Sequence, residues 1–592
     1  MAIPKKTRLA VASSKSTPMD YSCQHITTSN FMEFAVSKVI DMVPNQKIQV
    51  NHEIFTRLEP MPVPTFGLAS IRTNVFFVPY RTVFSAFNDM IGDTMHVFDD
   101  GTNFVTSTPY FNYSILSRAF TNTAMCSSAA SGYDFQYSDG TNAVNMKFTA
   151  LGRFAYKLMR TLGYNWTFST VVDKRVSALP LLAVLRVYYD FYLTSQYSSA
   201  QSYDNILALF TLNNSRDMQY PIIDTAEKFV QIFQFLYKVF YQSDWINSAW
   251  DNPDSPNNGL ASSVTINDIN GNDTTYDNVV DYNPSTNNRT SPIIKRNAGN
   301  GTTSLTNISQ FMLNSLRKLT DYMKRNQIAG SRVIDRYLAR FGVELRAEKL
   351  NRSYKVASYV QDIQFGDVTS TSDTDGANLG AYAGKGVSFG NGSFEFSTDE
   401  YGMLIFVSTI IPKVSYYQGE HRHVNHLTKF DFWTPEFDQL GTQAMASSEV
   451  FINPNGKSTE IEAPDYYDQI FGYVPRYSEY KVGYDQITGD YLLPSLNTGK
   501  EAWNLFRDLT PFVDSVGLDS VRHSPSFVDG NDSFQYDRIF YNTDDTADKF
   551  NVIHNFNIGG AFPGSGLYDT YEFENEDKTA KVTVDVDGTQ EQ

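Results

Sequence analysis

Residues 48–78 decide the fold: IQVNHEIFTRLEPMPVPTFGLASIRTNVFFV. Across residues 48–54 apolar and polar side chains alternate, which is the pattern of a strand with one dry face and one wet face. The run Val75–Val78 is apolar without alternation, as in a strand that is buried on both faces or lies at a sandwich core. The three prolines within residues 59–64 cannot lie inside a hydrogen-bonded ladder. The stretch therefore predicts two strands joined by an extended connector.

Similar strand patterns lie further along the chain, and helical patterns lie between them. Residues 402–407 again read as a strand. Leu181–Tyr197 has an apolar stripe at helical spacing, and a second helix begins at Asp224 and Glu227, which have the spacing of a capping box. Residues 92–150 are polar, rich in Tyr and Phe, and are predicted to form long ordered loops. Together these patterns predict an antiparallel β-sandwich or jelly roll with large insertions.

Two further segments between the strand regions are distinctive. Residues 250–308 are dominated by Asn, Asp, Ser, Thr and Gly, and a loop of this length is either a functional excursion from the surface or a flexible insertion. Residues 311–360 have two apolar helical stripes, and Gly342 is a plausible helix end. This second segment contains 11 Lys and Arg against 4 Asp and Glu, so it is the most basic of the segments with a structural pattern.

The charge of the chain limits how it can contact nucleic acid. The 592 residues have a net charge of −17, whereas a protein that coats DNA with its whole surface needs an excess of Lys and Arg. We therefore expect nucleic-acid contact only from local basic segments. The first candidate is an N-terminal arm, residues 1–30, and the predicted contact residues are Lys5, Lys6, Arg8 and Lys15. Residues 311–360 are the second candidate, although the sequence favours a solvated amphipathic helix there over a contact with nucleic acid. The acidic segment from residue 508 onward, with a net charge of −12, should face away from phosphate.

Cysteine content and hydropathy exclude some classes of protein. Cys23 and Cys126 are the only cysteines, so neither a disulfide framework nor a cysteine-based zinc site is expected. The N-terminal residues lack the apolar core of a signal peptide, and no run of about 18 uncharged apolar residues predicts a membrane span. We expect synthesis in a reducing cytoplasm and no membrane association.

Two motifs raise the question of enzymatic chemistry. Gly386–Gly390 fits the G-x-S-x-G pattern of a nucleophile elbow, which requires a strand before Ser388 and a helix after it. The many neighbouring glycines instead predict a glycine-rich loop, and residues 384–386 lack the spacing of a phosphate-binding loop. No carboxylate pair lies in an apolar context. We therefore predict no catalytic residues and no cofactor.

His421, His423 and His426 form the one cluster with metal-binding potential in the sequence. Two imidazoles in H-x-H spacing on a strand can share a face, and zinc accepts three histidines. No nearby motif supplies a second shell or an activated water. The sequence favours a histidine-rich surface turn over a structural metal site or a pH-sensitive interface, and no metal is predicted.

Several blocks of sequence resemble the major capsid protein of microviruses, the small tailless icosahedral phages with single-stranded DNA. The resemblance includes Ile71–Phe87 with its Phe-Val-Pro-x-Arg turn, the Leu-Pro-led helix in residues 176–192, and residues 241–249. The longest block runs from residue 325 to residue 443 and contains, in order, GSRVIDRY, EYG, YYQG, DFWTPEF and LGTQ. A last block runs from residue 471 to about residue 489. The blocks occur in the order found in the family. Val333 and Tyr401 depart from the usual Tyr and His.

This resemblance implies a single eight-stranded antiparallel jelly roll of the viral capsid type, mainly β, spanning residues 31–592. Long insertions at about 92–165 and 195–310 and the acidic C-terminal segment interrupt or follow it, and residues 250–308 are the candidate for a surface protrusion. The implied function is a structural capsid subunit. Sixty copies, arranged as pentamers, would form a T=1 shell around a circular single-stranded DNA genome.

The resemblance also implies partners: a DNA pilot protein, a scaffolding protein and a small basic DNA-binding protein. The implied location is the virion, which assembles in the cytoplasm of a bacterial host. The chain is 14% aromatic, and uncharged aromatic loops are suitable contacts between identical subunits. Phe76, Phe77, Tyr80 and Arg81 are predicted to lie in the barrel core or at a contact between subunits.

Two other functions compete with this interpretation. A carbohydrate-binding or adhesin-like β protein would also be acidic, loop-rich and aromatic, but would remain monomeric. An enzyme on a β scaffold would lose hydrolysis on replacement of Ser388 by Ala.

Overall fold

The computed structural model describes five main ranges of the chain. Within them, gaps of one to four residues are left out, and two longer gaps are given with the ranges. They are residues 16–193, 221–249, 352–452 without 370–381, 470–512 without 492–499, and 527–563. Three strands within residues 263–296 and four isolated positions between 297 and 351 are also described. The predicted DNA-contacting residues, the apolar stripes from Met312 to Ile334 and the last twenty residues lie outside the described part.

The N-terminal region forms five strands that all belong to one large sheet. Their bounds are β1 Ser16–Asp20, β2 Cys23–Ser29, β3 Ala35–Met42, β4 Gln46–Leu58 and β5 Ala69–Pro79. In β4 the predicted alternation is confirmed, because Ile48, Val50 and Ile54 lie on the buried face, together with His52, and the residues at odd-numbered positions between them are not buried. The predicted burial of Val75–Val78 on both faces of β5 is confirmed as well.

The chain then leaves the large sheet and builds an insertion of helices and small sheets. The elements up to residue 192 are α1 Phe87–Ile91, β6 His96–Phe98, β7 Gly101–Asn103, β8 Tyr110–Asn112, α2 Tyr113–Ala119, β9 Cys126–Ser128, β10 Phe135–Ser138, β11 Ala143–Phe148, α3 Ala150–Thr161, β12 Arg175–Ser177 and α4 Leu179–Val187, which a π-helical turn extends through Tyr188–Tyr192. The prediction of long loops for residues 92–150 is therefore wrong. Its polar residues form short strands whose aromatic side chains, such as Phe135 and Phe148, pack together.

The second half of the insertion begins with α5, Ala226–Leu236. Its N-cap is Thr225, whose hydroxyl accepts a hydrogen bond from the Lys228 amide, so the predicted start at Asp224 is one residue early. Residues 250–308 contain a small antiparallel sheet of β13 Ser263–Asn267, β14 Asp273–Asp277 and β15 Lys295–Arg296. Gly342 has a φ of +65° and its amide donates to the Leu338 carbonyl, which is the geometry of a helix end.

The remaining strands return to the large sheet or flank it. Their bounds are β16 Tyr354–Thr369, β17 Tyr382–Thr398, β18 Gly402–Pro412, β19 Thr442–Ala446, β20 Ile470–Pro475 and β21 Phe550–Pro563. In the described residues between β20 and β21, the regular elements are 3₁₀ turns, the longest at Gly530–Ile539. Among the described residues, no helix is long and apolar enough to cross a membrane.

The large sheet is antiparallel throughout and has the order β1-β21-β4-β17-β16-β5-β18-β3, with β2 also paired to β21. Because β1 and β2 pair with successive parts of β21, nine strands occupy eight positions. The sheet curls on itself: the His52 ring on β4 lies 5.8 Å from the Phe406 ring on β18, four positions away. The enclosed core is formed by β3, β4, β5, β18 and β21.

Helix α3 covers the gap between the two ends of the curled sheet. Lys157 on this helix donates to the Thr28 carbonyl at the edge strand β2. Its ammonium group is 2.7 Å from Glu33 and 3.1 Å from Asp548, and all three side chains are largely buried. Burial raises the pKa of Glu33, while the neighbouring Lys157 opposes that shift. A covered edge protects the sheet from pairing with other chains.

Strand β17 corrects the predicted glycine-rich loop at residues 380–392. The residues from 383 to 397 alternate strictly between outward and inward positions, and the glycines at 384, 386, 390 and 392 all face inward. A Cβ atom at Gly392 would lie 2.5 Å from the Tyr359 ring, and one at Gly386 would lie 2.7 Å from Leu58. The glycines therefore make room for side chains of neighbouring strands.

Candidate assembly surfaces

The predicted contact residues Phe76 and Phe77 are neighbours on β5 and point into two different cores. The Phe76 ring is 4.7 Å from that of Phe191 in the helical insertion. The Phe77 ring lies inside the curled sheet, 5.1 Å from Phe396 and 5.3 Å from Tyr354. Within one chain both rings are therefore completely covered.

Tyr80 and Arg81 follow β5 in a 3₁₀ turn at the end of the sheet. The Tyr80 hydroxyl donates to the carboxylate of Asp41 on β3, whose pKa burial raises. Arg81 makes a two-point contact with Glu400, with Nε 2.5 Å from one carboxylate oxygen and a terminal nitrogen 3.2 Å from the other. Arg81 and Glu400 are both partly exposed, so this ion pair is at the surface.

Lys5, Lys6, Arg8 and Lys15 lie outside the described residues, but the structure describes where their segment joins the fold. Residues 16–29, which the expected boundary at residue 30 assigns to the arm, form β1 and β2 of the large sheet. Ser16 pairs with Pro563 at the end of β21. The basic segment therefore joins the fold at Ser16, at one end of the strand pair β1 and β21.

The surface carries a prominent cluster of exposed apolar side chains in the loop after β18. Val424, Leu427, Phe432 and Trp433 are all exposed, Leu427 by 84%. The His426 ring contacts Phe432 at 5.3 Å and Tyr480 at 5.9 Å, which fixes the base of the cluster. We call these four exposed residues the aromatic ridge. The sequence signal for it was an apolar run, FW, inside a polar loop.

A second exposed aromatic cluster lies near the connector between β4 and β5. Phe66 is 70% exposed, and its ring lies 5.4 Å from Trp503 and 6.3 Å from Tyr491. Sequence reasoning missed this cluster, because Phe66 is more than 400 residues away from Tyr491 and Trp503 along the chain.

His423 lies in a 3₁₀ turn, Arg422–Asn425, which His421 and His426 flank, and the three histidines do not converge on one point. The His421 and His423 rings stack at 5.5 Å, and His421 Nε2 lies 2.9 Å from the side-chain nitrogen of Gln486. The His426 Nε2 atom is 3.8 Å from Glu479. Within the described ranges, no group of three or more His, Cys, Asp or Glu side chains is arranged to hold a metal.

Ser388 does not lie on a nucleophile elbow. It is buried in the middle of β17, where its hydroxyl donates to the Asp362 carbonyl at 3.0 Å, and an extended strand continues on both sides. The strand-to-helix turn that exposes a catalytic serine is missing at this position.

The fold and its surface together define a class: a curled antiparallel β protein with large insertions and exposed aromatic clusters of the type that contact other protein subunits. The family model described as "Capsid protein (F protein)" matches residues 156–558, well over half of the chain, and the chain belongs to this family. Family membership makes it a structural protein of a phage capsid, and it confirms the resemblance to microvirus capsid proteins.

Two relatives are similar to this chain. Capsid protein VP1 of Bdellovibrio phage phiMH2K is 24% identical over 478 residues, which cover 78% of this chain and 80% of the relative. Capsid protein VP1 of Chlamydia phage 1 is 27% identical over 211 residues, which cover 33% of this chain and 34% of the relative.

Proposed function

We propose that the chain is the major subunit of a T=1 icosahedral shell, in which sixty copies arranged as pentamers enclose a circular single-stranded DNA genome. The observation that carries the proposal is the family match over residues 156–558. Shells of this type are closed by symmetry, so each surface patch that forms a contact must fit another patch of an identical chain. Each subunit joins several neighbours, and weak contacts are therefore sufficient individually.

The proposal includes the fold of an eight-stranded jelly roll. Its support is the division of the eight sheet positions into two groups of four, β2-β21-β4-β17 and β16-β5-β18-β3, joined through β16 and β17. Strands that are distant in the chain lie side by side in both groups, as Greek-key connections require. The helical insertion between β5 and β16 and the loops after β18 extend from this unit.

In this proposal the aromatic ridge and the cluster around Phe66 contact neighbouring subunits, because large exposed apolar clusters mark interaction sites. Arg81 lies at the surface and remains our candidate for a contact between subunits. Phe76, Phe77 and Tyr80 support the same region from inside.

The genome contact is proposed for Lys5, Lys6, Arg8 and Lys15. Each cation that neutralises a phosphate releases a counterion, which makes binding depend on salt. The implied pilot, scaffolding and small basic DNA-binding proteins complete the proposed set of partners, and the virion is the proposed location after assembly in the host cytoplasm.

Electron microscopy of the purified full chain, with and without circular single-stranded DNA, tests this function. We expect closed shells of uniform diameter with fivefold symmetry. A chain that stays monomeric at high concentration and instead binds glycans would contradict the proposal and support the adhesin-like alternative. A variant with Gln at positions 5, 6, 8 and 15 should still form shells but bind single-stranded DNA with a weaker dependence on salt. The slope of the logarithm of the binding constant against the logarithm of the salt concentration should fall by about 3, or roughly 0.7 for each phosphate contact.

A further inference from the structure

An apolar row crosses the outer face of four neighbouring strands of the large sheet. Ile26 on β2 is paired with Ile553 on β21, Ile553 with Phe55 on β4, and Phe55 with Phe389 on β17. Ile26 is 68% exposed and Phe389 is 70% exposed, while the two central residues are partly exposed. We call these four residues the apolar row. A groove of about 610 Å³ lies along its Ile26–Phe55 part.

The rows on either side of the apolar row are mainly polar. One flanking row contains Gln24, Asn555, Glu53 and Asn391, and the other contains Thr28, Asn551, Arg57 and Val387. The apolar row lies on an otherwise polar sheet face. Its four large side chains do not belong to the core on the other side of the sheet. Such a contiguous exposed patch marks an interaction site.

The charges beside the apolar row favour a protein partner over nucleic acid. Arg57 lies over the Phe55 ring at 5.2 Å, but Glu53 occupies the equivalent position on the other side of that ring. Lys157 also lines the groove, but it is paired with two buried carboxylates. The groups beside the row therefore give no net positive charge, whereas binding to a phosphate backbone requires one. Neither Glu53 nor Arg57 has an ion-pair partner among the described residues.

We propose that the apolar row is a two-fold contact with a second copy of this chain, in which two sheets pack face to face with their apolar rows superposed. A two-fold axis along the row places each row residue opposite its own counterpart and exchanges the two flanking rows. Arg57 of each copy then lies opposite Glu53 of the other, so the two unpaired charges form two symmetric ion pairs. The surface is thus complementary to itself in shape and in charge, as an isologous contact requires.

The inference rests on the proposed self-assembly and adds the location of one contact. In a closed shell, a two-fold contact joins subunits of different pentamers. Loss of the apolar row should therefore stop assembly before closure rather than unfold the chain.

Cross-linking through Phe55 tests the geometry independently of shell formation. In a Cys23→Ser background, Phe55→Cys places a thiol at the axis. A bis-maleimide with a spacer of about 10 Å, the distance between packed sheets, should then give a covalent dimer. Ser397→Cys is the matched control, because it is exposed on the same face but lies eight residues along β17 from Phe389, about 26 Å from the axis. We expect at least a tenfold higher dimer yield for Phe55→Cys. Equal yields would overturn the inference.

A charge exchange tests the proposed ion pairs. Glu53→Arg and Arg57→Glu should each weaken dimerisation at least tenfold, because like charges then face each other across the axis. The double variant should recover it, since every pair is restored with its signs reversed. A double variant as weak as either single variant would contradict the two-fold arrangement. Unfolding midpoints of all three variants should stay near that of the unmodified chain.

The outcomes separate this inference from the proposed function. Closed shells without cross-linking at residue 55 would overturn the two-fold contact and leave the capsid function standing. A cross-linked dimer that never forms shells would support the contact and contradict the proposed shell. If Phe389→Gln abolishes binding of single-stranded DNA while dimerisation and assembly are unchanged, the row is a nucleic-acid surface and the inference is wrong.

Discussion

The two faces of strand β4 have opposite compositions, and each has an exception at its centre. The inner face is mainly apolar, with its other polar side chains near the ends of the strand, but its central residue is His52, which lies between Phe406 and Phe556. The outer face is polar except for Phe55, which belongs to the apolar row. The inner face encloses the core of one chain. The outer face has no such core to enclose, so its apolar side chains need another partner.

This difference shows how one strand can serve folding and assembly separately. Side chains on the inner face should govern the free energy of unfolding, and those on the outer face should govern association between copies. Because successive residues of a strand point to opposite faces, the two properties can change independently.

The largest effect on stability is expected from Phe406→Ala on the inner face. Phe406 is completely buried, and its ring lies 5.2 Å from Phe556 and 5.8 Å from His52. Removal of a buried ring leaves a cavity and should lower the free energy of unfolding by about 3–5 kcal/mol. Urea denaturation followed by tryptophan fluorescence measures this loss. If the free energy of unfolding falls only as much as it does when an exposed side chain is replaced, the curled sheet does not close over this ring.

The second effect is a pH dependence caused by the histidines of the inner face. His52 Nε2 lies 3.0 Å from His554 Nδ1, and the His25 ring stacks on His554 at 5.9 Å. Burial lowers the pKa of His52 to about 3, and burial together with the neighbouring histidines lowers the pKa of His554. Burial also lowers the pKa of His25.

The unfolded chain therefore binds more protons than the folded chain below the ordinary histidine pKa of about 6.5. The contribution of these three histidines to stability should be constant above that pH and fall as the pH drops from about 6.5 toward 3. His52 alone should account for about 2 kcal/mol of loss at pH 5. His52→Gln should flatten the dependence in urea titrations between pH 5 and 8, whereas His423→Gln at an exposed site should not. An unchanged slope in His52→Gln would contradict this account.

A third and smaller effect compares glycines that lie on different faces. A Cβ atom at Gly392 on the inner face would contact the Tyr359 ring at 2.5 Å, whereas one at Gly559 on the outer face meets nothing within 4 Å. We expect Gly392→Ala to lower the unfolding free energy by about 1–3 kcal/mol through overpacking. Gly559→Ala should leave it unchanged or raise it by about 0.5 kcal/mol. Thermal melting measures the difference in stability between the two variants. Equal melting temperatures would argue against close packing at Gly392.

The smallest effect on stability is expected from Phe389→Gln on the outer face. Because this side chain is mostly exposed, the free energy of unfolding should change by less than about 0.5 kcal/mol. Sedimentation should nevertheless show weaker association. A large loss of stability in urea would mean that Phe389 packs within its own chain and that the two faces of the sheet are not separable.

The sequence predicted the strands whose pattern is local. Alternation in β4 and the unbroken apolar run in β5 both follow from which faces are buried, and both can be read from a few consecutive residues. β17 could not be predicted in this way. Its inward glycines look like a loop in the sequence, and only the neighbouring Tyr359 and Leu58 explain them.

The candidate contacts were less predictable, because they depend on register between distant strands. Phe76 and Phe77 were correctly placed as aromatic residues of one strand, but their separate cores involve the insertion and β17. The apolar row joins Ile26 to Ile553, more than 500 residues away. No local pattern around Ile26 or Phe389 shows that they lie side by side with Phe55.

The position of β21 has a consequence for biosynthesis. This strand lies between β2 and β4, so the N-terminal strands cannot complete their sheet until residues 550–563 have left the ribosome. At about 5–20 residues per second, the roughly 540 residues from the start of β2 to the end of β21 take about half a minute to two minutes to synthesise. During that time the apolar row does not exist, because β21 has not yet been made and β2 lacks the strand with which it pairs. A truncated or unfinished chain thus lacks this contact and cannot enter a shell through it.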